Sequence, residues 1–206
     1  VFSFHPVKMI TTGEGGIATT NTKSLSEKMK VFRSHGIIRE KKLFKNKIKN
    51  ITHYEQQELG FNYRLNDIQA SLGISQLKKI NLFLRERRKI KNYYDKHLKL
   101  CPLILPYENK YAKSSWHLYP VLIDNKKSNK NKNEFLEYLR KNNISLNTHY
   151  IPIHTHPYYE KIGFKKTDFK NSVFFYNNAI SLPIYVGLNI KDLKYIISII
   201  YKFFNK

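Results

Sequence analysis

Three glycines in the run Gly13-Glu14-Gly15-Gly16 follow closely on Met9-Ile10-Thr11-Thr12, and they restrict the start of this chain more than any other feature. Glycine reaches positive φ without steric cost. Residues 1–4 and 16–20 are therefore predicted to run as two extended segments, reversed through the residues between them. No Gly-Lys-Ser/Thr follows at the spacing of a phosphate-cradling loop, so the glycines mark a turn and not a P-loop. Inside the reversal stands Lys8, between Val1-Phe2-Ser3-Phe4 and Met9-Ile10, whereas most other lysines lie among charges. An ammonium drawn among apolar neighbours is disfavoured in its charged form, and the neutral amine is a nucleophile. Residue types alone leave two roles open: a lysine that forms imines with carbonyl compounds, or one that snorkels from a half-buried strand.

The rest of the chain alternates helical and extended patterns, which predicts an α/β fold without internal repeats. Leu25, Met29 and Phe32 share one helical face in a segment that stops near Ser34-His35-Gly36. Residues 37–60 are charged and irregular and read as a surface excursion. Asn66 is a good N-cap, and Asp67 suits the first turn. The stripe Ile68, Leu72 and Leu77 predicts an amphipathic helix there. Asn62 and Tyr63 stand just ahead of it, where an anion site and a plain capping turn are both compatible with the spacing. A helix over 80–99 turns Phe83, Ile90, Tyr94 and Leu98 to one side. Further on come a strand over 117–123, a low-complexity polar loop over 124–133, a helix over 134–141 and an alternating strand over 144–150. A short strand at 179–183 precedes a closing helix over 190–204, whose Leu193, Ile196, Ile197, Ile200 and Phe203 keep the 3.6-residue period.

Composition enters where it excludes something. The net charge of +22 raises a basic nucleic-acid-binding module as an alternative function, with many Tyr and Phe to stack on bases. Yet only seven of the 37 basic residues are Arg, the residue suited to bidentate phosphate and base recognition, and the lysines are spread through every segment. No specific nucleic-acid partner is expected. The single cysteine, Cys101, rules out an internal disulfide and a Cys-based zinc site, and agrees with a reducing cytoplasm. The longest apolar run, residues 195–201, is too short to span a bilayer, so no membrane partner is expected either. His149, His154 and His156 lack both a familiar ligand spacing and a nearby acid, and no metal is expected on them. No leader precedes Val1, and the sequence reads as the later part of a longer chain.

The segment Ser3-Phe4-His5-Pro6-Val7-Lys8, with Thr11-Thr12-Gly13-Glu14-Gly15-Gly16 behind it, resembles the lysine motif of the DegT/DnrJ/EryC1/StrS nucleotide-sugar aminotransferases. The blocks Arg33-Ser34-His35-Gly36, Asn62-Tyr63-Arg64-Leu65-Asn66-Asp67-Ile68-Gln69 and Ser181-Leu182-Pro183 resemble the same family in the same order. His117-Leu118-Tyr119-Pro120 and Thr148-His149-Tyr150 look most like its pseudaminic-acid branch. The resemblance implies the C-terminal part of a pyridoxal-phosphate-dependent type I transferase fold. Residues 1–77 would end the large cofactor-binding domain, and residues 78–206 would form the small α/β domain.

It further implies that Lys8 binds pyridoxal 5'-phosphate through an imine and then acts as the base. Ser3 would bond the cofactor phosphate within its own subunit. Asn62 would reach the phosphate of the neighbouring subunit, so the active site would be shared across a homodimer. His149 and Tyr150 would face the sugar nucleotide. The implied reaction carries an amino group from glutamate to a UDP-4-keto-6-deoxy-N-acetylhexosamine. Family variants that serve as sugar dehydratases or regulators replace the lysine, which is present here. The family's cofactor-tuning groups, including the acid at the pyridine nitrogen, lie in an N-terminal half that this sequence lacks. The chain by itself is therefore expected to be inactive and poorly stable.

Overall fold

The computed structural model describes residues 1–46 and 50–205, and the chain divides into two compact units, Val1–Ile80 and Asn81–Lys206.

In the first unit, β1 (Phe2–Ser3) and β2 (Gly16–Ile17) pair antiparallel, with Phe2 opposite Ile17 and Ser3 opposite Gly16. Helix α1 (Lys23–Arg33) ends where His35 and Gly36 both take positive φ, of 64° and 70°. The Gly36 amide then turns back to the Val31 carbonyl at 2.9 Å. β3 (Ile37–Ile38) pairs antiparallel with β4 (Glu55–Gln56), so the expected surface excursion carries a small ladder. Its residues 47–49 lie outside the described part. Helix α2 (Asp67–Leu77) opens on a full capping box: the Asn66 side chain accepts from the Gln69 amide, and Gln69 returns a bond to the Asn66 amide. The apolar stripe expected on α2 is real in sequence, but the described residues of this unit leave it largely uncovered. Ile68 is 84% exposed, and Leu72 and Leu77 also face outward. Periodicity fixes which face of a helix is apolar, and a second surface has to bury it.

The second unit is built on a three-stranded antiparallel sheet. Helix α3 (Ile80–Leu98) leads into β5 (Leu103–Ile104), which pairs with the central β6 (Tyr119–Ile123). Helix α4 (Lys132–Lys141) opens on a second capping box, Asn131 with Glu134. Two helices that the sequence pattern did not predict follow, α5 (Pro157–Lys161) and α6 (Lys170–Asn178). β7 (Ala179–Leu182) pairs with β6 on its other side, and α7 (Ile190–Phe204) closes the unit on the span its period predicted. Along β6 the inward residues alternate as a half-buried strand requires, with Tyr119, Val121 and Ile123 buried. They meet Ile90, Tyr94 and Leu98 of α3, Phe135 and Leu139 of α4, and the inner face of α7 in one apolar cluster. Each fully buried Leu, Ile or Phe contributes about 1.5–3 kcal/mol over an exposed one.

One expected element is absent. Residues 144–150 form no strand. Ile144 and Leu146 do point inward, but the only pairing there is a single bridge from Asn147 to Ser181. Alternation records which side chains are buried, not whether the backbone finds a ladder.

Candidate active site

The loop that carries Lys8 is held by its own backbone and by threonines. The Phe4 carbonyl accepts the Thr12 amide at 3.0 Å and the Thr11 hydroxyl at 2.9 Å, and the Phe4 amide donates to Gly15 at 2.9 Å. The Lys8 amide donates to the His5 carbonyl at 2.9 Å, which closes a tight turn with the lysine at its end. Lys8 is half-buried there. Thr12 is the anchor. It is 3% exposed, and its hydroxyl donates to the Glu14 carbonyl at 2.6 Å. A Cβ on Gly15 would lie 2.5 Å from that hydroxyl and 2.9 Å from Leu65 Cδ1, and one on Gly73 of α2 would lie 2.8 Å from Thr12 Cγ2. Gly15 also has φ of 148°. Two glycines thus give up their side chains so that Thr12 can wedge the lysine loop onto the segment around α2. Ser3 sits on β1 at the mouth of this loop. Its oxygen receives the His5 amide at 3.4 Å, which leaves the hydroxyl proton free to donate.

Asn62 lies in the same unit, on a segment that runs antiparallel to the end of α1. The Phe61 amide donates to Phe32 at 2.7 Å, the His35 amide to Phe61 at 2.7 Å and the Tyr63 amide to Arg33 at 2.9 Å, with Ser34 opposite Asn62. This approach is close enough to exclude side chains, since a Cβ on Gly60 would stand 2.1 Å from the Gly36 nitrogen. Extended backbone sends alternate residues to opposite faces. Phe61 and Tyr63 stack on one face at 4.8 Å and 10° between ring planes. On the other face Arg64 Nε donates to Asn62 Oδ1 at 2.8 Å, and Arg64 Nη2 reaches His35 Nε2 at 3.2 Å. The sequence blocks around Arg33–Gly36 and Asn62–Asn66, 26 or more residues apart in the chain, are thus neighbours. The Arg64–His35 contact has no local sequence signal and escaped sequence reasoning, as did the anchoring role of Thr12.

His149 and Tyr150 belong to the second unit. His149 Nδ1 lies 2.8 Å from Ser181 Oγ, and its ring meets that of Tyr150 edge-on at 4.7 Å. Ser181 therefore serves both the bridge to Asn147 and the orientation of His149. Tyr150 is 69% exposed at the edge of a cleft of about 650 Å³ lined by Pro152, His154, Tyr159, Phe164 and Phe169.

The residues of the first unit suit an aldehyde cofactor that carries a phosphate. Lys8 is a primary amine on a backbone-fixed loop. Ser3 and Asn62 bring uncharged donors, a hydroxyl proton and a carboxamide whose oxygen is already engaged.

The model of the DegT/DnrJ/EryC1/StrS aminotransferase family matches residues 1–201. The uncharacterized protein MJ1066 of Methanocaldococcus jannaschii is 43% identical over 93% of this chain and 50% of its own length. The UDP-4-amino-4,6-dideoxy-N-acetyl-beta-L-altrosamine transaminase of Helicobacter pylori is 40% identical over 99% of this chain and 52% of its own. Among solved structures, Helicobacter pylori PseC, an aminotransferase involved in the biosynthesis of pseudoaminic acid, superposes with a TM-score of 0.83 at 37% identity. It covers 99% of this chain and 52% of that one. The chain spans about half the length of the curated relatives it matches. Its mixed helices and small sheets are those of part of an aminotransferase fold.

Proposed function

The chain belongs to the DegT/DnrJ/EryC1/StrS aminotransferase family, and from that premise we propose that it is the lysine-bearing half of a pyridoxal-phosphate-dependent nucleotide-sugar aminotransferase. The amino group of glutamate would pass to C4 of a UDP-4-keto-6-deoxy-N-acetylhexosamine, giving the 4-amino sugar nucleotide for a surface glycan of the pseudaminic-acid type. The observation that carries this reading is Lys8 itself: a half-buried amine on a loop wedged by Thr12, in a chain that matches the family over residues 1–201. The name of the Helicobacter pylori relative supports the choice of sugar.

Pyridoxal 5'-phosphate, when bound, supplies an electron sink for the carbon that bears the transferred amine. The residues of this chain do the rest. The Lys8 Nζ would hold the cofactor through its aldehyde carbon. As a free amine Lys8 would take the proton from the donor's α-carbon, which requires it to be neutral and within reach. Ser3 Oγ and the Asn62 carboxamide would donate to the phosphate, Ser3 from its own subunit and Asn62 across a homodimer. His149, oriented by Ser181, and Tyr150 face the sugar nucleotide. We read residues 1–77 as the end of the large domain and 78–206 as the small one, working in the cytoplasm where sugar nucleotides are made. Among the described residues no helix is long and apolar enough to cross a membrane. The chain alone is inactive on this reading, because the groups that tune the cofactor lie in the half of the relatives it does not match.

The test uses a protein of full family length. Borohydride should abolish its visible absorption band and leave the reduced cofactor attached to Lys8 in a peptide map. Lys8→Ala should lose the attachment and at least about 10²-fold in turnover. Attachment to any other lysine would overturn the assignment.

A further inference from the structure

We propose that Arg64 and His35 are positioning residues that fix the Asn62 carboxamide with its amide hydrogens turned outward, as donors to an anion. The argument needs only donor and acceptor chemistry. A guanidinium can donate and cannot accept, so the group that Asn62 turns toward Arg64 Nε at 2.8 Å must be its oxygen, and the Nδ2 hydrogens then point away. The same rule applies one step back. Arg64 Nη2 lies 3.2 Å from His35 Nε2, and since the guanidinium can only donate, the imidazole nitrogen is the acceptor in that contact. His35 in turn is held by its backbone, at φ of 64° with its amide bonded to Phe61 at 2.7 Å. The chain His35–Arg64–Asn62 thus runs from a fixed backbone to a carboxamide of known polarity.

The device answers a need set by exposure. Asn62 and Arg64 are both exposed, and an exposed carboxamide free in water presents its oxygen as readily as its nitrogen. Toward a phosphate the oxygen repels and the nitrogen binds. The backbone on either side of Asn62 is already held, by the Phe61 amide on Phe32 and the Tyr63 amide on Arg33, so side-chain rotation is the freedom left for Arg64 to remove.

This inference rests on the reading of Asn62 as a phosphate contact, and the experiment separates the two. In the full-length holoenzyme, pyridoxal 5'-phosphate is titrated into apo-protein and its dissociation constant is read from the visible band, for the parent, Asn62→Ala, Arg64→Met, the double variant and Asn62→Asp. Asn62→Ala and Arg64→Met should each weaken binding about tenfold. In the Asn62→Ala background, Arg64→Met should cost less than twofold, because its target is gone. Asn62→Asp keeps a partner for Arg64 and so preserves the fold, yet it offers no hydrogen outward and should bind worst. Arg64→Met without effect, or with its full effect in the Asn62→Ala background, overturns the positioning role; the second result would mean that the arginine touches the ligand itself. An Asn62→Ala protein that binds as the parent does overturns the reading of Asn62 and this inference with it.

Discussion

Glu55 is 7% exposed and is the acid around which the surface excursion is tied. Its two oxygens accept the Lys45 amide at 2.7 Å, the Asn46 amide at 2.9 Å and the Gln57 Nε2 at 2.7 Å. The Lys45 amide above all, helped by Asn46 and Gln57, outweighs burial and lowers its pKa from 4.5 to about 2. A carboxylate whose pKa is depressed by folding adds stability above its unfolded pKa and loses it as pH falls through the folded one. The loop around residues 45 and 46 should therefore stay ordered at pH 5 and loosen between about 4.5 and about 2. NMR shifts of the Lys45 and Asn46 amides would follow that transition. Glu55→Gln, which can accept through only one oxygen, should loosen the loop at neutral pH and abolish the transition.

At the scale of elements, Arg87 joins pieces that sequence distance keeps apart. It is 8% exposed on the inner face of α3, and one guanidinium nitrogen donates to the carbonyls of Trp116 at 3.1 Å, His117 at 3.0 Å and Ile184 at 2.9 Å. It thus ties α3 to the entry of β6 and to the exit of β7, beside the Tyr94 hydroxyl bond to Pro183 at 2.8 Å. Arg87→Met should cost on the order of 3 kcal/mol in denaturant unfolding, since it leaves three carbonyls short of a donor. How much of this was legible depended on whether a residue's signal is local. Asn66 announced its cap, and the stripe of α7 announced a helix with both ends in place. α6, Lys-Asn-Ser-Val-Phe-Phe-Tyr-Asn-Asn, has no apolar stripe to read, and α5 is too short to show one. In the candidate site, Ser3, Lys8 and Asn62 could be singled out from motif order. The hold that Arg64 takes on Asn62 could not, because its far anchor is His35, 29 residues away.

Across the whole molecule, burial is uneven. Among the described residues every buried apolar side chain lies between Ile90 and Phe203, and none lies in Val1–Ile80. The first unit buries Thr12 and Glu55 instead, while Ile68, Ile74 and Leu77 face solvent. Hydrogen bonds alone add little net stability in water. Residues 81–206 expressed alone should therefore unfold in one cooperative transition, and residues 1–80 alone should show none by far-UV circular dichroism on heating. A sharp transition in the shorter piece would count against this division. His149 and Tyr150, which we propose face the sugar, would then sit on the self-sufficient unit, and Lys8 on the dependent one.

The alternation of Phe61, Asn62, Tyr63 and Arg64 has a consequence for how this segment can change over time. Its two faces are assigned by parity, so composition can drift while length cannot change by an odd number. Losing one residue between the Gly60 contact and the Asn66 cap would exchange the faces, turning ring stack and donor chain inside out together. Losing two would return each face to its side. Insertions and deletions in the descendants of this gene should be excluded here in odd numbers, even where single substitutions are accepted.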